Sequence, residues 1–150
     1  MATEKTGGAR QPRMTLEAFE ALAAHGVPFV GQLDCRVLRF EWGSVDVRLP
    51  YRDLLLRPGG TVCGPAMMAL ADITLYGVVL SMIGPVELTV TTDLTVHFLR
   101  KPARGDLLAR GRILKLGTRL AVGEVEILSP GHDESVAHVV GTYALPGQRP

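Results

Sequence analysis

One acidic residue, Asp72, interrupts a long apolar segment and is the first candidate for chemistry. The segment from residue 64 to residue 83 is apolar on nearly every side and contains no other charge. A helix of that composition is enclosed by other elements rather than laid on a surface. Because burying an unpaired charge is costly, we expect Asp72 to have a hydrogen-bond partner, access to water or a position at an interface.

The beginning of the same segment has the features of an anion-binding helix end. A glycine-rich loop leads into Gly64, a suitable N-cap, and Pro65 suits the first helical position. The free N–H groups and partial positive charge of a helix N-terminus can hold an oxyanion. A carboxylate that acts as base or nucleophile, together with such donors, is what acyl transfer requires.

The spacing of these two features predicts a dimer. Asp72 follows Gly64 by eight residues, which is roughly 12 Å along a helix. Reacting groups must lie about 3 Å apart, so one carboxylate cannot serve a carbonyl held at its own helix start. If the two features act together, Asp72 comes from one chain and the helix start from another.

Cys63 lies just before the helix start, where a thiol can become reactive. No histidine lies near it in the sequence. We therefore expect Cys63 to be a small, partly buried residue, with a nucleophilic role as the alternative.

The first half of the chain predicts a helix and a hairpin. Thr15 can cap a helix over residues 16–25 that ends at Gly26, and residues 27–33 form an irregular stretch. Alternating apolar and polar residues on either side of Gly43-Ser44 then predict a hairpin with that pair as its turn.

The second half predicts four strands after the central helix, which Gly84-Pro85 ends. Short connections favour antiparallel pairing. The fold class is α+β: a long central helix wrapped by a curved antiparallel sheet of about six strands. In the first strand after the helix, one face carries Leu88, Val90, Leu94, Val96 and Phe98, and the other carries Thr89, Thr91, Asp93, Thr95 and His97.

Composition limits the functional classes. With 150 residues and a net charge of +1, the chain fits one domain and lacks the basic excess of a nucleic-acid-binding protein. Two isolated cysteines without a secretory leader favour a cytoplasmic location, and scattered histidines give no metal-binding pattern. Asp72 splits the apolar segment, which argues against a membrane span. We predict a disordered tail over residues 1–14 and one domain over residues 15–150.

From about residue 57 to residue 143 the chain resembles the hotdog-fold acyl-CoA thioesterases, in the group that includes the phenylacetate-degradation thioesterase. The resemblance depends on four blocks, GGTVCGP, ALAD, TTDL and VHFLRKP, at residues 59–65, 69–72, 91–94 and 96–102. It implies the hotdog fold, dimers that usually pair into tetramers, acyl-CoA as substrate, and neither a metal nor a redox cofactor.

The resemblance also implies an active site with one departure. Asp72 matches the family's acidic residue, and Gly64 matches the glycine whose amide binds the thioester oxygen. Cys63 stands where the family usually has a histidine, Pro65 replaces a second glycine, and Arg57 replaces an upstream asparagine of some members. Because one transition-state donor is worth roughly 2.7–4 kcal/mol, loss of the histidine would slow hydrolysis by two or three decades without compensation.

Further residues are candidates for substrate binding. The resemblance implies a role for the hydroxyl groups of the TTDL block, which stand where some family members have a serine that positions water or the acidic residue. Basic residues suit the phosphates of coenzyme A. The substrate-binding candidates are Cys63, Arg57, Thr91, Thr92, Arg100, Lys101, Arg104 and Arg119.

Two alternatives to a thioesterase stay open. A protein of this fold that has lost the histidine could bind acyl-CoA or an acyl carrier without catalysis. A hydratase or dehydratase of the same fold needs a histidine-containing motif, and the chain has no histidine between His25 and His97.

Overall fold

The structure is a computed structural model and describes residues 8–147. Six antiparallel strands form one sheet in the order β1-β2-β6-β7-β8-β5, and a two-stranded β3-β4 ladder lies before the long helix. The helices are α1 (Leu16–Gly26), α2 (Pro28–Gln32) and α3 (Gly64–Ile83); the strands are β1 (Arg36–Glu41), β2 (Ser44–Leu49), β3 (Leu56–Arg57), β4 (Thr61–Val62), β5 (Val90–Phe98), β6 (Leu107–Leu116), β7 (Leu120–Leu128) and β8 (Ser135–Ala144). The predicted α+β hotdog architecture is confirmed.

The long helix α3 lies against the sheet with most of its residues buried. By length and composition it could cross a membrane, but a buried core helix passes the same test, and 72% of its most apolar window is buried. The helix begins after Cys63 with Pro65 in its first turn and ends at Gly84, whose φ is +89°. The N-cap is Cys63 rather than the predicted Gly64, so Gly64 and Pro65 are the first two helical residues, whereas the predicted end of the helix at Gly84 is confirmed.

Three glycines on neighbouring strands allow α3 to approach the sheet closely. A Cβ atom added at Gly111 would lie 2.7 Å from the Thr74 side chain. Cβ atoms added at Gly123 and Gly141 would lie 2.8 and 2.6 Å from the two methyl groups of Leu75. Since real Cβ contacts essentially never fall below 3.0 Å, these positions accept the helix only because they lack side chains.

The helix α1 has the predicted cap and packs on α3. The Thr15 side chain accepts a hydrogen bond from the Ala18 amide at 3.1 Å. Phe19 is fully buried, stacks on Phe40 with ring centroids 5.2 Å apart, and fits over the bare backbone of Gly77.

Two further local predictions were wrong. Residues 28–32 form the short helix α2 rather than an irregular stretch, because Pro28 occupies a first-turn position, where its missing N–H is not needed. The hairpin turn is Trp42-Gly43, with Glu41 paired to Ser44. Gly43 has a φ of +72°, so the glycine takes the second loop position instead of the first.

Part of the predicted N-terminal tail contacts the domain. The Arg13 amide donates to the Ser81 carbonyl oxygen at 2.8 Å, and the guanidinium groups of Arg10 and Arg13 lie over the Trp42 ring. Residues 1–7 of that tail, and residues 148–150 of the predicted domain, lie outside the described residues.

Candidate active site

The Asp72 carboxylate is held by two hydroxyl groups that come from different strands. Thr91 in β5 donates to Oδ1 at 2.7 Å, and the Tyr143 hydroxyl in β8 contacts both Oδ1 and the Asp72 carbonyl oxygen, the latter at 2.7 Å. The other carboxylate oxygen, Oδ2, has no hydrogen-bond partner among residues 8–147. The two donors therefore fix the carboxylate orientation and leave one oxygen available.

Tyr143 is the site residue that sequence reasoning missed. It is 2% exposed and stacks on Tyr76 with centroids 6.4 Å apart. Burial, followed by the neighbouring Asp72 carboxylate, raises the pKa of the Tyr143 phenol well above its ordinary value. Tyr143 thus stays neutral and keeps its proton for donation across the physiological pH range. In the sequence, Tyr143 was marked only by the alternating apolar and polar pattern of its predicted strand. Most residues with that pattern belong to the core, so it did not indicate a site residue.

A cavity of about 280 Å³ adjoins Asp72. Apolar side chains of α2, α3 and β5 form most of its wall. Tyr76 also lines it, and its hydroxyl donates to the Glu87 carbonyl oxygen at 3.3 Å. The lining residues include Phe29, Val30, Ile73, Thr89 and Val90. An acyl chain of modest size could occupy such a cavity next to the carboxylate.

The start of α3 forms a second, separate feature. The Gly64 amide has no acceptor among the described residues, as expected for the first residue of a helix. The Phe98 ring packs against Gly64, 3.3 Å from where a Cβ atom would stand. A cavity of about 350 Å³ lies beside this helix end.

Arg57, Arg100 and Lys101 line the cavity at the helix start, and Arg104 lies against Gly60 in the preceding loop. We call these four residues the basic cluster. Arg104 donates to the Gly59 carbonyl oxygen at 3.2 Å, and Arg100 lies 3.4 Å from the Glu134 carboxylate. Arg57 and Lys101 form no salt bridge with any acidic residue in the described part of the chain. The sequence-predicted cations therefore come together, and three of them, Arg57, Lys101 and Arg104, have no acidic partner among residues 8–147.

Two predicted residues lie apart from both features. Arg119 lines neither the cavity beside Asp72 nor the cavity beside the helix start. It precedes Leu120, which aligns through Ala144 with Val90 at the start of β5, whereas Arg100 and Lys101 follow the other end of β5. Thr92 is exposed and donates to the Thr142 carbonyl oxygen at 3.2 Å, away from Asp72.

A β-bulge between Thr91 and Asp93 explains the position of Thr92. The extra residue brings Thr91 and Leu94 to the same side of the sheet, where Thr91 bonds Asp72 and Leu94 packs on the core. The predicted placement of Thr91 and Leu94 on opposite faces was therefore wrong.

The cysteines give no evidence of a reactive pair. Both Cys35 and Cys63 are free thiols, and burial raises the pKa of the Cys35 thiol to about 11. Cys63 is half-buried at the N-cap of α3, where its side chain makes no capping bond. No group of three or more potential metal ligands occurs within residues 8–147.

Comparison with known proteins places this arrangement in a family. The family model described as "Thioesterase superfamily" matches residues 59–136, more than half of the chain. The chain belongs to the thioesterase superfamily. The matched region contains Gly64, Asp72, Thr91 and most of the basic cluster, whereas Arg57 and Tyr143 lie outside it.

Individual relatives agree with the family. A candidate thioesterase from Silicibacter sp. TM1040 is 36% identical and superposes with a TM-score of 0.80, over 95% of this chain and 96% of that one. A mutant of the phenylacetic acid degradation protein PaaI from Thermus thermophilus is 28% identical, with a TM-score of 0.70 over 79% and 99% of the two chains. A candidate esterase from Thermoplasma acidophilum is 25% identical over 78% of this chain and 87% of the relative.

These findings confirm the predicted resemblance and support hydrolysis of acyl thioesters in general. The identity of the acyl carrier, the acyl group and the roles of individual residues go beyond the family assignment and are proposals.

Proposed function

We propose that this thioesterase-superfamily protein hydrolyses acyl-CoA to the free acid and coenzyme A, with Asp72 as the general base or nucleophile. The observation that carries the proposal is the Asp72 carboxylate. It lies in the middle of an apolar helix and beside a cavity, with one oxygen bonded by Thr91 and Tyr143 and the other available. A carboxylate held beside a cavity with one oxygen available is suited to act on a ligand there, so we assign it a chemical role.

In the general-base route, Asp72 Oδ2 takes a proton from water while the water oxygen bonds to the thioester carbon. The negative charge moves to the carbonyl oxygen, which accepts hydrogen bonds from helix N-terminal amides including Gly64. Collapse of this intermediate breaks the C–S bond, and the proton passes from Asp72 to the coenzyme A sulfur. In the nucleophilic route, Oδ2 itself bonds to the carbon, the thiolate leaves, and water cleaves the resulting anhydride.

A homodimer would bring the two features together. β5 pairs with β8 on one side only and is an edge of the sheet among the described residues. Its ends carry exposed apolar side chains, Val90 at 57% and Phe98 at 50%, and an unprotected edge of this kind favours pairing with another strand. Thr91, bonded to Asp72, lies near one end of β5, and Phe98, packed on Gly64, is the other end.

If two copies of β5 pair antiparallel, each Asp72 lies beside the helix start of the other chain. The unpaired edge of β5 thus supports the same dimer that the distance between Gly64 and Asp72 along the helix requires. We propose that such dimers associate further into tetramers, as the family resemblance implies.

The basic cluster supports coenzyme A as the carrier. Lys101 and Arg57 have no acidic partner in the described chain and lie beside the helix start where the thioester oxygen would bind. Phosphate groups are recognised by such cations and by helix N-termini.

The second candidate function is acyl-CoA or acyl-carrier binding without turnover. Cys63 favours it, because a thiol replaces the histidine that usually orients the thioester. Absence of turnover across acyl chain lengths, with acyl-CoA raising the melting temperature, would support binding alone. Retained activity in Cys63→Ser would exclude a thiol nucleophile.

The test of catalysis is Asp72→Asn assayed by thiol release on an acyl-CoA panel. We expect kcat to fall by about 10²- to 10⁴-fold, the usual contribution of a positioned base. Asp53→Asn is the matched control, since Asp53 is exposed and lies in a separate turn. Wild-type turnover by a folded Asp72→Asn dimer would remove Asp72 from the mechanism.

A further inference from the structure

A further cavity, of about 340 Å³, lies among α1, α2 and β1. Its apolar lining includes the buried residues Phe19, Ala23 and Val47, and charged side chains of α1 and β1 also line it. No residue of the proposed chemistry or of the basic cluster lines this space. We call it the rear cavity.

Two aliphatic residues, Val30 and Ile73, line both the rear cavity and the cavity beside Asp72. Val30 belongs to the five-residue helix α2, and Ile73 follows Asp72 directly in α3. Ile73 is 5% exposed, and Val30 is partly buried and packs against the core. The side chains of Val30 and Ile73 therefore form a wall that the two cavities share.

This shared wall lies at the inner end of the cavity beside Asp72. Phe29 lines the same cavity but is 63% exposed, so it marks the side that faces water. An acyl chain gains most free energy by extending from the thioester toward buried apolar side chains and away from water. With its thioester carbon beside Asp72, such a chain would end against Val30 and Ile73.

The volume of the cavity beside Asp72 limits the length of the chain. A protein cavity of about 150 Å³ holds benzene, which has six carbon atoms. By that measure the cavity of about 280 Å³ holds roughly ten carbon atoms. Joining the rear cavity to it would more than double the space.

We propose that Val30, together with Ile73, sets the upper limit of acyl length, so that the substrate class is medium-chain acyl-CoA of up to roughly ten carbon atoms. This inference rests on the proposed function, because it places the acyl chain in the cavity beside Asp72. Truncation of Val30 to alanine would open the shared wall and admit a longer chain into the rear cavity.

The experiment measures kcat/KM for saturated acyl-CoA thioesters of 4 to 14 carbon atoms in the wild type and in Val30→Ala. In the wild type we expect tetradecanoyl-CoA to be at least about tenfold poorer than octanoyl-CoA. In Val30→Ala we expect the ratio of tetradecanoyl-CoA to octanoyl-CoA to rise at least about tenfold, because each methylene that gains apolar contact is worth about fourfold. An unchanged ratio, or a wild type that prefers tetradecanoyl-CoA, would overturn the proposal.

Val37→Ala is the matched control. Val37 is also a partly buried valine that packs against the core, but it lines the rear cavity alone and not the cavity beside Asp72. We expect this variant to keep the wild-type ratio, since it enlarges the rear cavity without opening the shared wall. An equal rise in both variants would show a general loosening of the fold and would contradict the role of Val30.

Ile73→Val gives a second test if Val30→Ala does not fold, as judged by its melting curve. It trims the other residue of the shared wall by one carbon atom. We expect the same ratio to rise about two- to fourfold. A folded Ile73→Val protein with the wild-type ratio would then overturn the proposal.

Binding measurements separate this inference from the proposed hydrolysis. Calorimetric titration of Asp72→Asn with octanoyl-CoA and tetradecanoyl-CoA reports affinity without turnover. If the wild type hydrolyses neither compound, but Asp72→Asn prefers octanoyl-CoA and the added Val30→Ala change removes that preference, the hydrolysis proposal fails and the role of Val30 stands. A preference that the added change leaves intact would overturn the role of Val30 whether or not hydrolysis occurs.

Discussion

Replacing Tyr143 by phenylalanine tests whether the geometry around Asp72 matters for catalysis. The change keeps the buried ring and its stacking on Tyr76 but removes the donor to Asp72 Oδ1. A hydrogen bond to a charged group is worth about 1.5–3 kcal/mol. Because Thr91 still donates to the same oxygen, we place the loss at about 1.5–2 kcal/mol, toward the lower end of that range. That corresponds to a decrease of about 10- to 30-fold in kcat.

The assay is steady-state thiol release, with kcat and KM determined separately. Tyr143 acts through Asp72 and does not itself contact the thioester in our mechanism, so we expect KM to change little. Tyr76→Phe is the matched control. It removes a hydroxyl from the adjacent stacked ring, and among residues 8–147 the hydrogen-bond partner of that hydroxyl is the Glu87 carbonyl oxygen. A Tyr143→Phe protein with wild-type kcat, or equal losses in both variants, would refute the positioning role.

A double-mutant cycle gives a second test. Thr91→Val removes the other donor to Oδ1, and two donors that hold one oxygen should not act independently. We expect the combined loss to differ from the sum of the single losses by at least about 0.5 kcal/mol. Additive losses would show that the two hydroxyls act separately.

Three further predictions concern charge, assembly and pH. Lys101→Gln should raise KM for acyl-CoA about three- to tenfold and weaken its salt dependence, whereas Arg110→Gln, an equal charge change on an exposed residue of β6, should do neither. Val90→Lys should yield folded monomers by analytical ultracentrifugation with little activity; active dimers would exclude pairing through β5. The pKa of Tyr143 is raised in the folded chain, so as pH rises the phenol loses its proton in the unfolded chain before it does so in the folded chain. The free energy of unfolding therefore falls as pH rises above about 10. Urea midpoints at pH 8 and about pH 10.5 should therefore differ less in Tyr143→Phe than in the wild type.

Much of the fold follows from local signals in the sequence. The Thr15 cap, the uniformly apolar residues 64–83 and Gly84 determine where the two main helices lie, because caps and burial act within a few residues. The four strands after α3 lie where alternation and turn residues predicted them. The lone carboxylate in the apolar segment marked Asp72 as the candidate acid in the same way, whereas Thr91 became a candidate through the family resemblance.

The features that were missed depend on contacts distant in sequence. Tyr143 reaches Asp72 across 71 positions, and no local pattern distinguishes it from a core tyrosine. The bulge in β5 brings Thr91 and Leu94 to the same side of the sheet, although simple alternation places them on opposite sides. Pairing with β8 determines that irregularity, so alternation within β5 alone could not reveal it.

The bare backbone at Gly123 and Gly141 has a consequence for how such a protein can lose function. Leu75 fits against both glycines, so α3 cannot turn about its axis by one residue, roughly 100°, without a clash. Asp72 lies three residues before Leu75 on the same helix. The direction of its carboxylate therefore depends on the absence of side chains at the two glycines in the sheet. Substitution of either glycine by alanine would rotate or displace α3 while most of the core stayed packed. The orientation of the Asp72 carboxylate would be lost first. The protein would then be abundant and well folded but inactive.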